Sequence, residues 1–318
     1  MSFSSEPMLC LPHRQTYMRR TDIAVSPGSV LLFGVFEQRS EIDPDWITLF
    51  GGDNAYEIIS GDNIHSATIP KYKDHPISLR DQWILLDFVL HLNASSIYVD
   101  ITGLPHHIWM PIVRVCFESG IETNCIYVEP KSYTYNPTPK PGEFFDLSDR
   151  IQGFSPIPTF ARLTARRAED STLMPLLGFE GIRFRHLIER TEPSERDISP
   201  IIGVPGFELE YPFHTIEGNA AVLSATRSWQ RVSYIDAACP FSLFSYLQKF
   251  QKRFADRHLQ IATIGTKPHA LGAMMYAMQN VNVELLYDHP VRRKGRTEGM
   301  AKCHLYKVSD FLRPASGH

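Results

Sequence analysis

Residues 258–287, HLQIATIGTKPHALGAMMYAMQNVNVELLY, contain the pattern that decides the predicted fold. The apolar run Leu259–Ile264 predicts a buried strand, residues 265–267 predict a tight polar turn, and Pro268 marks the start of a helix. A second strand, Val281–Tyr287, follows the helix. Such a turn gathers backbone N–H groups at one point, which favours an anion such as phosphate, although many turns of this kind bind nothing.

The same unit occurs a second time, in the first half of the chain. Residues 96–103, SIYVDITG, predict a strand that ends in a glycine turn. A helix over Ile108–Glu118 and a returning strand over Asn124–Glu129 follow. Helix, strand, glycine turn, helix and strand in one order therefore predict two copies of one α/β half.

Two further matches support this internal repeat. Amphipathic helices precede both units, at Leu79–Leu92 and at Phe241–Phe254. Residues 30–37, VLLFGVFE, also resemble residues 200–208, PIIGVPGFE. We therefore predict an α/β fold with two Rossmann-like halves and mostly parallel sheets, because alternating strands and helices favour that class. The halves are expected at residues 1–155 and 156–318, joined through a proline-rich segment.

The turn residues are the first candidates for ligand binding. Lys267 lies between a predicted buried strand and a helix N-terminus, where its ammonium group would neutralise a phosphate. Thr266 and Thr102 offer hydroxyl donors, and Gly265 and Gly103 allow close backbone approach. The alternatives are a solvated lysine and threonines that only cap the helices.

Residues 292–296, RRKGR, form the one concentrated basic stretch of the sequence. Arg292 and Arg293 would add affinity for a polyphosphate or an oligonucleotide if this loop covers the ligand. A solvated loop is the alternative. We include both arginines among the candidate phosphate-binding residues.

Several histidines and one aspartate are candidates for proton transfer. His107 and His269 follow the prolines at the start of the two predicted helices, and Asp288 and His289 follow the last strand of the second unit. Exposed or capping roles explain each of them equally well. No set of residues has the spacing of a metal site, so no metal is expected.

Bulk composition narrows the class of protein. A formal net charge of −3 gives no support to wholesale nucleic-acid binding, so any basic site is expected to be local. No stretch has the length of a membrane span, no secretory leader is recognisable, and no Walker A or G-x-G-x-x-G sequence predicts a cofactor. The five scattered cysteines are typical of reduced, buried thiols, and a cytoplasmic location is expected.

The turn Ile264-Gly265-Thr266-Lys267-Pro268 resembles that of the CRISPR-associated Rossmann-like (CARF) sensor domains, and Asp100-Ile-Thr-Gly103 resembles a second version without the lysine. CARF domains bind cyclic oligoadenylates across a two-fold dimer interface. The resemblance implies a pseudo-dimer within one chain, with a nucleotide second messenger held by Lys267, Thr266 and Thr102. It also implies a role in bacterial antiviral defence through an effector protein.

The leading hypothesis is thus a cytoplasmic sensor that binds a nucleotide or a cyclic oligonucleotide and acts through a protein partner. The alternative is an enzyme that acts on a nucleotide or a phosphorylated metabolite in the same cleft, with the histidines and Asp288 as acid–base groups. Homo-oligomerisation is compatible with both hypotheses, and the sequence leaves the oligomeric state open.

Overall fold

The computed structural model describes residues 12–37, 39, 44–61, 63–140, 142–162, 171–255 and 257–313. In chain order, the first elements are β1 (Arg14–Tyr17), β2 (Ser29–Phe33), β3 (Ala55–Glu57), β4 (Ile59–Ser60), β5 (Ser66–Ile69), β6 (Lys73–Ser78), α1 (Gln82–His91), β7 (Ser96–Asp100), α2 (His106–Glu118), β8 (Glu122–Tyr133), β9 (Tyr135–Lys140), β10 (Glu143–Phe145), β11 (Ser148–Ile151) and β12 (Ser155–Pro156).

The later elements are β13 (Ser171–Leu176), α3 (Gly181–Thr191), β14 (Ile201–Gly203), α4 (Tyr211–Ala225), β15 (Ser233–Ile235), α5 (Pro240–Arg253), β16 (His258–Thr263), α6 (Lys267–Gln279), β17 (Val283–Tyr287), β18 (Pro290–Arg292), β19 (Thr297–Lys307) and α7 (Val308–Leu312). Short 3₁₀ helices cover Arg20–Asp22, Pro44–Phe50, Gly52–Asn54, Glu195–Asp197 and Ser228–Arg231.

Two six-stranded sheets organise these elements. The first has the order β1-β19-β8-β7-β2-β3, and the second has the order β12-β17-β16-β13-β14-β15. Strands β3, β2, β7 and β8 run parallel, as do β15, β14, β13, β16 and β17. The predicted α/β class with mostly parallel strands is therefore confirmed.

The inner strands are covered on both faces, as their continuous apolar sequences predict. All five residues of β7 and all five of β17 are buried. The helices that follow the two glycine turns are buried as well: ten of the thirteen residues of α2 and ten of the thirteen of α6 lie in the interior. These two helices contact each other, and one apolar cluster runs through both halves of the chain.

The two amphipathic helices form where the sequence predicts them. Helix α1 begins at Gln82, because the side chain of Asp81 caps it by accepting from the backbone N–H groups of Trp83 and Ile84. Helix α5 buries Leu243 and Leu247, two residues of its predicted apolar stripe.

The final strand lies in a different sheet from the one that its place in the sequence suggests. Residues 156–318 are expected to form the second half, but β19, near the end of the chain, pairs along its length with β8 of the first sheet, from Thr297↔Tyr133 to Lys307↔Asn124. The burial of apolar side chains explains this pairing, because Cys303 and Leu305 belong to the hydrophobic cluster on that sheet. The first sheet therefore contains chain from both sides of residue 155.

The thiols differ in part from the prediction. Cys116, Cys125 and Cys303 are buried and free. Cys239 is disulfide-bonded, so the expectation of a reduced thiol is wrong at that position. Cys10 lies outside the described residues. Among the described residues, no helix combines the length and the hydropathy that a membrane crossing requires.

Gly265 is required by close packing at the end of β16. A Cβ atom there would lie 2.8 Å from the carbonyl oxygens of Leu176, the last residue of β13, and of Leu177, which follows it. Gly178 has the reciprocal constraint, since its Cβ would lie 2.9 Å from the carbonyl oxygen of Ile264. The two strand ends therefore meet backbone to backbone, and glycine keeps them in register.

We expect Gly265→Ala to lower the free energy of unfolding by about 1–3 kcal/mol, the usual cost of overpacking a tight site. Gly52→Ala is the control, because a Cβ at Gly52 meets nothing within 4 Å and this change should be nearly neutral. Urea denaturation of both variants measures the difference. Equal stability of the two variants would contradict the packing argument.

Candidate functional site: a histidine cleft

The two glycine turns lie together, and Lys267 joins them. Its Nζ atom donates to the backbone carbonyl oxygens of Ile101, Thr102 and Leu104, at 2.7, 2.6 and 2.9 Å. An ammonium group has three N–H donors, so these bonds saturate it. Burial, together with the nearby guanidinium of Arg39, lowers the pKa of Lys267. Lys267, which the sequence predicts to bind a phosphate, therefore uses all three of its N–H donors on carbonyl groups of the protein.

The other turn residues also bond within the protein. The Oγ1 atom of Thr102 accepts from the backbone N–H of Val128 at 2.9 Å, and Thr102 is fully buried. The Oγ1 atom of Thr266 donates to the carbonyl oxygen of Ala237 at 2.9 Å and caps α6. The carbonyl oxygen of Gly103 accepts from the backbone N–H of Phe36. The contacts of both threonines therefore fit a local structural role, which is the alternative to ligand binding.

The two arginines of the basic stretch contact carboxylates. Arg292 lies 3.5 Å from the Glu180 carboxylate, and Arg293 contacts Asp146 at 2.6 Å and Asp149 at 3.0 Å. Arg292 and Gly265 line a cavity of about 90 Å³ at the carboxyl edge of the second sheet. Sites for small organic ligands usually have about 300–1,000 Å³, so this cavity is too small for a nucleotide.

Asp288 and His269 are fixed by structural bonds. Asp288 is fully buried and accepts two hydrogen bonds from Arg183, both of 2.6 Å. Burial alone would raise the pKa of Asp288, but the Arg183 guanidinium more than offsets this and holds the pKa below its usual value. His269 is also fully buried, with its Nε2 atom 3.0 Å from the carbonyl oxygen of Asp236. Burial lowers the pKa of His269 to about 4.

Asp100 is likewise paired, as its position in an apolar strand predicts. Its Oδ2 atom lies 3.5 Å from Arg20 Nη1, and both side chains are fully buried. Its Oδ1 atom accepts from the backbone N–H of Thr102 at 2.9 Å, which shapes the first glycine turn. Removing either member would leave a buried charge uncompensated.

A cleft of about 830 Å³ lies between the two halves, and we call it the histidine cleft. Its walls are the β4–β5 hairpin, the start of α2, the segment before β12, one side of α3 and the end of β17. The lining residues are Ser60, Gly61, Asn63, Ile64, Pro105, His107, Ile151, Gln152, Gly153, Phe154, Ser155, His186, Arg190, Tyr287, His289 and Pro290. It lies beyond the carboxyl ends of β7 and β17, where parallel sheets bind ligands.

The structure brings together two of the four predicted proton-transfer residues in this cleft. The Nδ1 atoms of His107 and His289 lie 3.4 Å apart, and Nε2 of His289 lies 2.8 Å from Ser155 Oγ. Both histidines are buried, and the Nε2 atom of His107 has no hydrogen-bond partner within the described chain. This nitrogen is itself enclosed by protein, so it is a buried polar atom without a partner beside the cleft.

The two imidazoles are neutral at physiological pH. Burial lowers the pKa of His107 to about 3 and that of His289 to about 4, and for His107 the neighbouring His289 acts in the same direction. His289 also has a left-handed backbone with φ of 46°. A non-glycine residue in this conformation costs about 1–2 kcal/mol, and such strain is concentrated at functional sites.

Sequence reasoning missed three residues of the cleft. Ser155 lies in the proline-rich segment that was interpreted only as a connection. His186 and Arg190 lie on α3 and are exposed at the cleft. A serine, a histidine and an arginine in these contexts have no local signature, because only the tertiary fold brings them to His107 and His289. Among the described residues, no cluster of three or more His, Cys, Asp or Glu side chains has the arrangement of a metal site.

Two comparisons with known proteins found no match to this sequence. No protein-family model matches the sequence, and no curated protein matches it either. The similarity of the Gly265-Thr266-Lys267 turn to CARF domains therefore rests on its few residues alone.

Replacing Lys267 tests its structural role. We expect Lys267→Met to lower the free energy of unfolding by about 3 kcal/mol, because three carbonyl groups lose their donor in a largely buried turn. Chemical denaturation gives the value. Lys294→Met is the matched control: Lys294 is exposed, and its replacement should change stability by less than about 0.5 kcal/mol. An unchanged stability of the Lys267 variant would contradict the assignment.

Buried neutral histidines predict acid sensitivity. The folded state keeps His269 neutral down to about pH 4, whereas an unfolded histidine takes up a proton near pH 6.5. The unfolded state therefore binds more protons below that pH, and the free energy of unfolding falls as the pH drops. Between pH 7.5 and 5.5, His269 should account for about 1.4 kcal/mol of this loss.

His269→Gln measures that share. Its free energy of unfolding should fall by about 1.4 kcal/mol less than that of the wild type between the two pH values, in urea titrations. His75→Gln, at an exposed position, should keep the wild-type pH dependence. The same dependence in His269→Gln and the wild type would show that His269 is not a buried neutral group.

Proposed function

We propose that the protein binds a nucleotide or an oligonucleotide in the histidine cleft. The observation that carries the proposal is the cleft itself: about 830 Å³ at the carboxyl edges of parallel strands from both sheets. Arg190 and His186 are exposed on α3 and provide donors for phosphate, and Phe154, which is half-buried, provides a ring for contact with a base. The ligand class is that of the leading sequence hypothesis, but the binding residues are different ones.

We also propose that the two sheets are copies of one unit. The orders β3-β2-β7-β8-β19 and β14-β13-β16-β17-β12 support this, since each has four parallel strands followed by an antiparallel one. In this alignment β2 corresponds to β13, whereas the sequence comparison matched residues 30–37 with residues 200–208, at β14.

The similarity to CARF domains favours a cyclic oligonucleotide as the ligand and a regulatory role in antiviral defence through an effector protein. A ligand that contacts both halves would suit such a role, because it would respond to their relative position. The cleft is lined by His107 from the first half and by His289 from the second.

A second function, catalysis on a nucleotide or a phosphorylated metabolite, is favoured by one specific observation. His107 and His289 are neutral, mutually hydrogen-bonded and adjacent to the cleft. Neutral imidazoles in such a position accept protons from a substrate or from water. Of the predicted acid–base groups, these two are the ones with access to this space, since His269 and Asp288 are fully buried elsewhere in bonds of their own.

Calorimetry with linear nucleotides and cyclic oligonucleotides tests both functions. We expect one member of the panel to bind, and Arg190→Ala to weaken its affinity about tenfold or more through loss of a charge-assisted hydrogen bond. Chromatography of the same mixtures would reveal turnover, which His107→Asn should abolish.

The control is Arg185→Ala on the same helix. Arg185 is exposed like Arg190, but it lines a separate groove, so its loss should leave the affinity unchanged. Equal effects of the two arginine variants would indicate non-specific attraction of anions. No binding by any nucleotide would refute the proposed ligand class, and binding without turnover would refute the enzyme alternative for this panel.

A further inference from the structure

Ser155, His289 and His107 form a continuous hydrogen-bonded chain at the wall of the histidine cleft. The distances are 2.8 Å from Ser155 Oγ to His289 Nε2 and 3.4 Å between the two Nδ1 atoms. This is the order of a nucleophile, a base and an orienting group. We infer that Ser155 is a nucleophile that cleaves a carboxylic ester bound in the cleft, with His289 as its base and His107 as a positioning residue.

The bonding pattern restricts the proton positions. Each neutral imidazole has one N–H donor and one acceptor nitrogen. If the Nδ1–H of His289 donates to His107, then Nε2 of His289 is an acceptor and faces the hydroxyl of Ser155. In the same state, the Nε2 atom of His107 carries a proton, and this N–H is a buried donor without a partner in the described chain.

The position of the chain also fits a reactive group. Ser155 is half-buried and lines the cleft, so a ligand can reach its hydroxyl. His289 follows Asp288, which two hydrogen bonds from Arg183 hold in place. The left-handed backbone of His289 is thereby fixed, and its ring stays directed at Ser155. Bases that act on a serine need such fixed geometry.

The chemistry balances with water as the second substrate. Ser155 Oγ attacks the ester carbonyl carbon while its proton passes to His289 Nε2. The bond from this carbon to the alkoxy oxygen then breaks, and the alcohol leaves with that proton. Water attacks the acyl-serine, gives a proton to His289 Nε2, and the bond to Ser155 Oγ breaks as the serine takes the proton back. The products are a carboxylic acid and an alcohol.

The proposed esterase site lies in the same cleft as the proposed nucleotide site, but this inference does not depend on whether a nucleotide binds there. The two therefore fail separately: nucleotide affinity is measured without regard to Ser155, and serine reactivity is measured without any nucleotide. The probe is a fluorophosphonate, which loses fluoride when an activated serine forms a bond to its phosphorus atom. Intact-protein mass spectrometry detects the adduct, and peptide mapping locates it.

We expect a single adduct on Ser155 of the wild-type protein, which requires no variant to observe. His289→Asn should slow its formation roughly a hundredfold, because a general base typically contributes 10²–10⁴-fold. Asparagine is chosen because it tolerates the left-handed backbone of residue 289. Ser148→Ala is the matched control: Ser148 is half-buried but bonds to the Glu180 carboxylate, so its loss should leave labelling unchanged.

His107 is tested by two replacements of different chemistry. His107→Gln retains a hydrogen-bonding group and should preserve most of the labelling, whereas His107→Phe fills the space without one and should lose it. Near-ultraviolet circular dichroism checks that both variants are folded. An unlabelled wild type, an adduct at another residue only, or equal labelling in His289→Asn would each overturn the inference. Equal labelling in the two His107 variants would refute the positioning role.

Discussion

A single ammonium group links the two glycine turns of this protein, one from each half of the chain. Lys267 belongs to the turn after β16, and its three N–H donors bind carbonyl groups of the turn after β7. Both turns lead directly into buried helices, α2 and α6, which pack on each other. The bonds therefore fix the starting points of these two helices relative to each other.

Other buried polar pairs extend this arrangement towards the cleft. Arg20 pairs with Asp100 before the first turn, and Arg183 pairs with Asp288 after β17. Buried ion pairs add little net stability, but breaking one leaves an uncompensated charge, so they restrict the alternative positions of the chain. Here the two pairs restrict the glycine turn that precedes α2, through Asp100, and the backbone of His289, through its neighbour Asp288. The cleft is thus preorganised by charges that do not line it.

The sequence was sufficient for features that depend on neighbouring residues. The apolar run at Leu259–Ile264 predicted a buried strand, which is β16, and the two glycine turns were located correctly. The partner of Lys267 was not predictable, because the carbonyl groups it binds lie more than 160 positions away in the chain. Lysine in such a turn suits a phosphate as well as a ring of carbonyl oxygens, and only the fold decides between them.

The same limit applies to the cleft. His107 and His289 were candidates because of their positions at helix and strand ends, whereas nothing near Ser155 marked it as more than part of a connection. Its significance comes from the antiparallel pairing of Ser155 with Tyr287, which brings it beside His289. The return of β19 to the first sheet has a related consequence for how the molecule divides. A break in the backbone near residue 155 would leave two fragments that still share a sheet, since β19 of the second fragment pairs between β1 and β8 of the first.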